Sequence, residues 1–80
     1  MQTIFVFSKC ELGEAYKVAD EAVLYVEQVS EVHSISGEYD LLFKCYLDDG
    51  FDIGHFVTEK LQTLPGIKET FTLIGFKAFS

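Results

Sequence analysis

The chain is short of positive charge, with six basic side chains against thirteen acidic ones and a formal net charge of −7. An acidic surface repels a phosphate backbone, so direct nucleic-acid binding is not expected. Nor is there an apolar run near the ~18 residues that a membrane-spanning helix needs. The opening MQTIFVFSKCELGE lacks the basic start, long apolar core and small-residue cleavage site of a signal peptide. The expected location is therefore the cytoplasm, with no membrane partner. Cysteine is scarce too: Cys10 and Cys45 read as small hydrophobes in a reducing compartment, not as a disulfide. No internal repeat, linker or low-complexity segment divides the chain.

Apolar and aromatic residues fill the space left by these absences. They make up 49% and 15% of the chain, with eight phenylalanines and four tyrosines, far too many for a disordered polymer. Residues 1–80 are expected to form a single domain, and an initiating methionine beside the first strand suggests a complete chain. A domain this small buries a modest share of its surface, which makes association with a second chain an early expectation.

Residues 3 to 9, TIFVFSK, are β-branched and aromatic without helical spacing, and predict a strand. Leu12, Tyr16, Ala19, Val23 and Val26 then recur at steps of four, three, four and three, the stripe of an amphipathic helix. Residues 29 to 36 predict a half-polar strand that Gly37 ends, and residues 40 to 47, DLLFKCYL, predict a third. DDGFD supplies aspartates suited to capping a second helix over residues 51 to 61, with the pair Asp48 and Asp49 read as caps. That helix sets Ile53, Phe56, Val57, Leu61 and Leu64 on one side and closes at Leu64-Pro65-Gly66. Residues 68 to 79 predict a last strand, with Gly75 as a bulge or a point of close approach.

The order β-α-β-β-α-β predicts an α+β, ferredoxin-like fold: a four-stranded antiparallel sheet, first and third strands central, both helices on one face. The other face should then be polar, yet the strands are apolar on both sides. Ile4 and Val6 oppose Phe5 and Phe7; Leu41, Phe43, Cys45 and Leu47 oppose Leu42, Lys44 and Tyr46; Ile74, Phe76 and Ala78 oppose Phe71, Leu73 and Phe79. Leaving such side chains in water forgoes about 1.5–3 kcal/mol each. A second copy laid sheet to sheet would cover them, so an obligate homodimer, a dimeric α+β barrel, is expected.

The stretch SGEYD, residues 36 to 40, carries more chemistry than a turn requires. Gly37 lets the chain reverse, but Asp40 stands at the mouth of an apolar strand, where a carboxylate calls for water or a cation. A free amino acid presents an ammonium and a carboxylate about 3 Å apart, which a carboxylate beside exposed backbone N–H groups would match. Tyr39 could wall such a pocket, and Thr70 and Thr72, on one face of the last strand, could lend hydroxyls from a neighbour. Each also has an ordinary structural use, tyrosine packed over its own strand and threonine as a strand former.

The segments SISGEYDLLFK, FVTEKLQTLPGIKETFTLI and the closing FKAF, in this order and at these separations, resemble the C-terminal effector domain of the leucine-responsive and asparagine-responsive (Lrp/AsnC) regulators. The resemblance covers nearly the whole chain. It implies a dimeric α+β barrel, dimers gathered into higher oligomers, and free amino acids as effectors bound between dimers. It also implies that Gly37, Glu38, Tyr39 and Asp40 form the turn holding the amino-acid backbone, and that Thr70 and Thr72 face the same cleft. Regulators of the family carry an N-terminal helix-turn-helix, for which this sequence leaves no room before its first strand. It resembles the stand-alone form, for which the resemblance implies either acting alone or joining full-length relatives.

Two other classes stand beside a sensor. Dimeric α+β barrels also host small monooxygenases and isomerases, but His33 and His55 have no His or Cys at i+3 or i+4 to complete a metal site, and no nucleophile has a base beside it. Neither metal nor cofactor is expected, and the reading is non-enzymatic. An oligomeric scaffold without a ligand is the third class.

Overall fold

The computed structural model describes residues 1–80 and runs β1 (Gln2–Cys10), α1 (Ala15–Tyr25), β2 (Val29–Ser34), β3 (Leu41–Leu47), α2 (Ile53–Phe56), a π-helical turn (Val57–Leu61) and β4 (Ile67–Gly75). The sheet is antiparallel throughout in the order β2-β3-β1-β4. This is the expected ferredoxin-like arrangement, with β1 and β3 central.

Strict alternation along the two central strands builds the core. Ile4, Val6, Ser8 and Cys10 of β1 are buried, as are Leu41, Phe43, Cys45 and Leu47 of β3. The register stacks them, Ile4 opposite Cys45, Val6 opposite Phe43 and Ser8 opposite Leu41. From α2 and the π turn, Phe56, Val57 and Leu61 are buried over this layer, with Ile53 and Leu64 packed at its margin, the face that their spacing predicts.

The first helix departs from expectation. It starts at Ala15, and Leu12, Tyr16 and Val23 of the expected stripe are 100%, 74% and 63% exposed. Of that stripe Val26 is buried and Ala19 packs against the core, and they are joined by Val18 and Ala22, with Ala15 at the margin. Small residues let the helix approach closely: a Cβ added to Gly66, in the loop before β4, would lie 2.9 Å from Val18 Cγ2 and 3.1 Å from Glu14 Cβ. Bulkier Tyr16 and Leu12 would hold the layers apart.

The capping expectation for Asp48 and Asp49 also fails, because the helix begins later than they do. Asp52 is the cap, its Oδ1 accepting the His55 N–H at 2.9 Å. Asp49 instead takes the N-terminal ammonium at 2.7 Å, and the Asp48 carbonyl accepts from Gln2 Nε2 at 2.9 Å.

β4 stops at Gly75, where its pairing with β1 ends at Thr3. Gly75 is a close approach, since an added Cβ would sit 3.2 Å from Thr3 O and 3.3 Å from Phe5 Cε2. The irregularity in that ladder falls at Lys9/Cys10. On the face without helices, Phe7 lies opposite both Leu42 and Phe71, and Phe5 opposite Lys44 and Leu73. Phe71 and Leu73 are close to half exposed. No helix is long and apolar enough to cross a membrane.

Candidate ligand-binding site

The chain between β2 and β3 reverses at Gly37, whose φ of +110° suits glycine; an added Cβ would meet nothing within 4 Å, so backbone conformation alone demands this residue. The Ile35 N–H donates to the Asp40 carbonyl at 3.0 Å and closes the turn, while the Asp40 N–H donates to Ser8 O at 2.8 Å. β3 therefore begins at Leu41, one residue later than expected, and β2 ends at Ser34, two residues earlier. The N–H groups from Ser36 to Tyr39, in the turn that leads to Asp40, donate to no backbone carbonyl.

That carboxylate is anchored. Its Oδ2 accepts the backbone N–H of Cys10 at 2.8 Å, tying the head of β3 to the end of β1. Asp40 borders a cleft of about 300 Å³ whose other walls include Cys10, Gly13, Leu12 and Tyr16. A cation held at Asp40 would thus have an anion on one side and apolar surface from Leu12 and Tyr16 on the other. Sequence spacing assigned those two residues to the core and so hid them as cleft walls. A roomier cleft, about 400 Å³, lies at the opposite end of the sheet beside Met1, Ser30 and Asp48 and contains no residue of the turn.

The remaining site candidates divide between the two faces. Tyr39 lies on the open sheet face, its ring 5.5 Å from that of Phe7 and stacked on Phe71 at 6.1 Å. Lys9 Nζ is 5.7 Å from the Tyr39 centroid, 3.9 Å from Glu38 and 3.8 Å from Glu69. Thr70 and Thr72 pair with Ser8 and Val6, which puts them on the helix side of β4. Thr70 Oγ1 accepts from Gln62 Nε2 at 2.8 Å, and sequence alone does not connect that glutamine with the site. Since β1 separates β3 from β4, the threonines stand two strand spacings, ~10 Å, from Asp40 within one chain.

Both thiols are free and buried. Burial pushes Cys45 up to about 12; Cys10 is raised as well, chiefly by burial, with the Ser8 hydrogen bond opposing and the Asp40 charge adding to the rise. His33 and His55 are exposed and each meets a glutamate at 2.9 Å, Glu31 and Glu59. The His33 hydrogen bond, then Lys44, holds the Glu31 carboxyl below its ordinary value. No cluster of three or more His, Cys, Asp or Glu side chains is arranged to hold a metal ion.

The chain is thus a helix-backed antiparallel sheet whose Gly-Glu-Tyr-Asp turn stands beside a cleft. Residues 3–80 match the model of the Lrp/AsnC ligand binding domain, and the chain belongs to that family. It is 36% identical over 64 residues to an uncharacterized HTH-type transcriptional regulator of Pyrococcus horikoshii, a match covering 80% of this chain and 43% of that protein. The chain spans less than half the length of the curated regulators it matches. It is also 29% identical over 69 residues to the homocitrate synthase of Sulfolobus acidocaldarius, covering 86% of this chain and 14% of that enzyme.

Among solved structures, Thermus thermophilus TTHA0845 superposes with a TM-score of 0.85 at 32% identity, covering 100% of this chain and 99% of the other. The regulator NMB0573 of Neisseria meningitidis, solved as its L-Met complex, has a TM-score of 0.84 over 99% of this chain and 52% of its own. At 19% identity it shows the shared fold.

Proposed function

We propose that this domain is a non-enzymatic sensor of free amino acids that takes part in transcriptional regulation through its state of assembly, in the cytoplasm and without touching DNA itself. The observation that carries this reading is Asp40. Its carboxylate is fixed by the Cys10 N–H, borders a cleft that Leu12, Ala15 and Tyr16 share with Glu11, and follows directly on backbone donors that the Gly37 turn leaves unused. The ligand's ammonium pairs with Asp40 and its carboxylate with those donors. The L-Met complex of the Neisseria regulator supports an amino acid as ligand. The similarity of 69 residues to a segment of an enzyme suits a sensing part separable from the machinery it serves.

Because Thr70 and Thr72 are remote from Asp40 in one chain, the complete site is an inter-subunit cleft, with these hydroxyls supplied by a neighbour. Assembly starts from a homodimer through the open sheet face, since Phe5, Phe7, Leu42, Phe71 and Leu73 have no helix over them and soluble monomers seldom leave so large an apolar surface bare. Dimers then gather into higher oligomers, alone or with full-length regulators of the family.

The test is thermal stability with each of the twenty amino acids. A ligand at 100 times its dissociation constant adds ~2.7 kcal/mol, and at least one amino acid should raise Tm. A flat response to all twenty favours a scaffold without ligand.

A further inference from the structure

We propose that residues 76–80 form an arm that reaches a second copy of this chain and packs Phe76 and Phe79 against its open sheet face. The proposal rests on the dimer reading above and specifies how the two copies hold one another. Ladder pairing ends at Thr3 and Gly75, and at Gly75 the backbone is pressed against Thr3 and Phe5. The chain then passes over the open face, where Phe76, Lys77 and Ala78 share a cleft of about 280 Å³ with Phe5, Lys44 and Tyr46. Its two aromatic rings turn away from this sheet: Phe76 is 99% and Phe79 89% exposed. Within the chain, Phe79 has an exposed lysine for company, Lys77 Nζ lying 5.3 Å from its ring centre.

A tail laid across an apolar face, with its own phenylalanines directed outward, is shaped to sit between two such faces. A second copy is the occupant that fits, because in a two-fold pair each face receives the arm that it also gives. Size agrees. Four phenylalanine rings, two from each chain, bury roughly 600–1,000 Å², about half of the ~1,200–2,000 Å² of a standard stable interface, and the sheet side chains supply the rest.

Sedimentation of the whole chain and its variants tests the arm, with circular dichroism confirming that each variant is folded. The double substitution Phe76→Ser and Phe79→Ser should weaken the dimer at least 100-fold, and Phe71→Glu, in the sheet face itself, should abolish it. In a variant with p-benzoylphenylalanine at position 79, light should give a covalent two-chain product whose linked peptides come from β1 or β4 of the other copy. If the serine variant dimerises within threefold of the parent while Phe71→Glu is monomeric, the arm is wrong and the sheet-face dimer stands. Cross-links confined to one chain overturn the arm equally. A folded 9.1 kDa monomer for the parent chain removes the dimer reading, and the arm with it.

Discussion

The backbone N–H of Cys10 and the carboxylate of Asp40 meet at 2.8 Å across thirty residues of sequence. The bond joins the end of one central strand to the beginning of the other, beside the turn that Gly37 makes. It gives Asp40 two separable duties: an oxygen that accepts from the backbone, and a charge that faces the cleft.

Asp40→Asn keeps an oxygen for Cys10 and removes the charge. It should alter unfolding free energy by less than ~1 kcal/mol while erasing any amino-acid-induced rise in Tm. Asp40→Ala should cost about 1–3 kcal/mol in addition, through the stranded N–H. Urea unfolding and thermal shift, run side by side on both variants, resolve the two effects. An amino-acid response that survives in Asp40→Asn takes Asp40 out of the site.

The glycines rank by distinct causes. Gly37→Ala meets no atom and should cost about 1–3 kcal/mol from backbone conformation alone. Gly66→Ala combines a φ of +96° with a Cβ only 2.9 Å from Val18, so it should be clearly the more destabilising in denaturant titrations. Equal costs would mean that α1 and its loop yield freely.

On α1, Val18→Ala should cost roughly 1.5–3 kcal/mol, because its side chain is fully buried. Val23→Ala, on the exposed flank, should stay within about 0.5 kcal/mol in an isolated chain. Urea midpoints of the two variants check the corrected helix face.

Cys45 gives a pH prediction with a definite sign. Its thiol titrates near 9.0 ordinarily and is raised to about 12 in the fold, so the native state keeps a proton that the unfolded state loses. Its contribution to stability is complete below pH 9 and declines as pH rises from 9 towards 12. A thiol reagent at pH 8 should label neither cysteine in the native chain and both in urea. Rapid native labelling of Cys45 would contradict its burial.

Much of the fold was legible in sequence because its signals are local. Alternation in β1 and β3, the face of the second helix and the two-sided apolar sheet follow from residue spacing. The first helix misled because Leu12, Tyr16 and Val23 make a regular series of large residues. The true contact keeps Ala19 and Val26 of that stripe and adds the smaller Ala15, Val18 and Ala22, and packing distance decides which residues face the sheet. In the site, the Gly37 turn was legible from residue type. Neither the bond from Cys10 to Asp40 nor the side of the sheet taken by Thr70 was, because both depend on the register of strands distant in sequence. The separation of Tyr39 from those threonines has the same origin.

Thr3 and Gly75 are ladder partners, so within this domain the first strand made waits for the fourth before one flank of its backbone is satisfied. A nascent chain still on the ribosome therefore holds Phe5 and Phe7 beside an unpaired edge, a state prone to sticking to its neighbours. Folding is deferred until synthesis has passed Gly75, and chaperone demand should peak just before that moment.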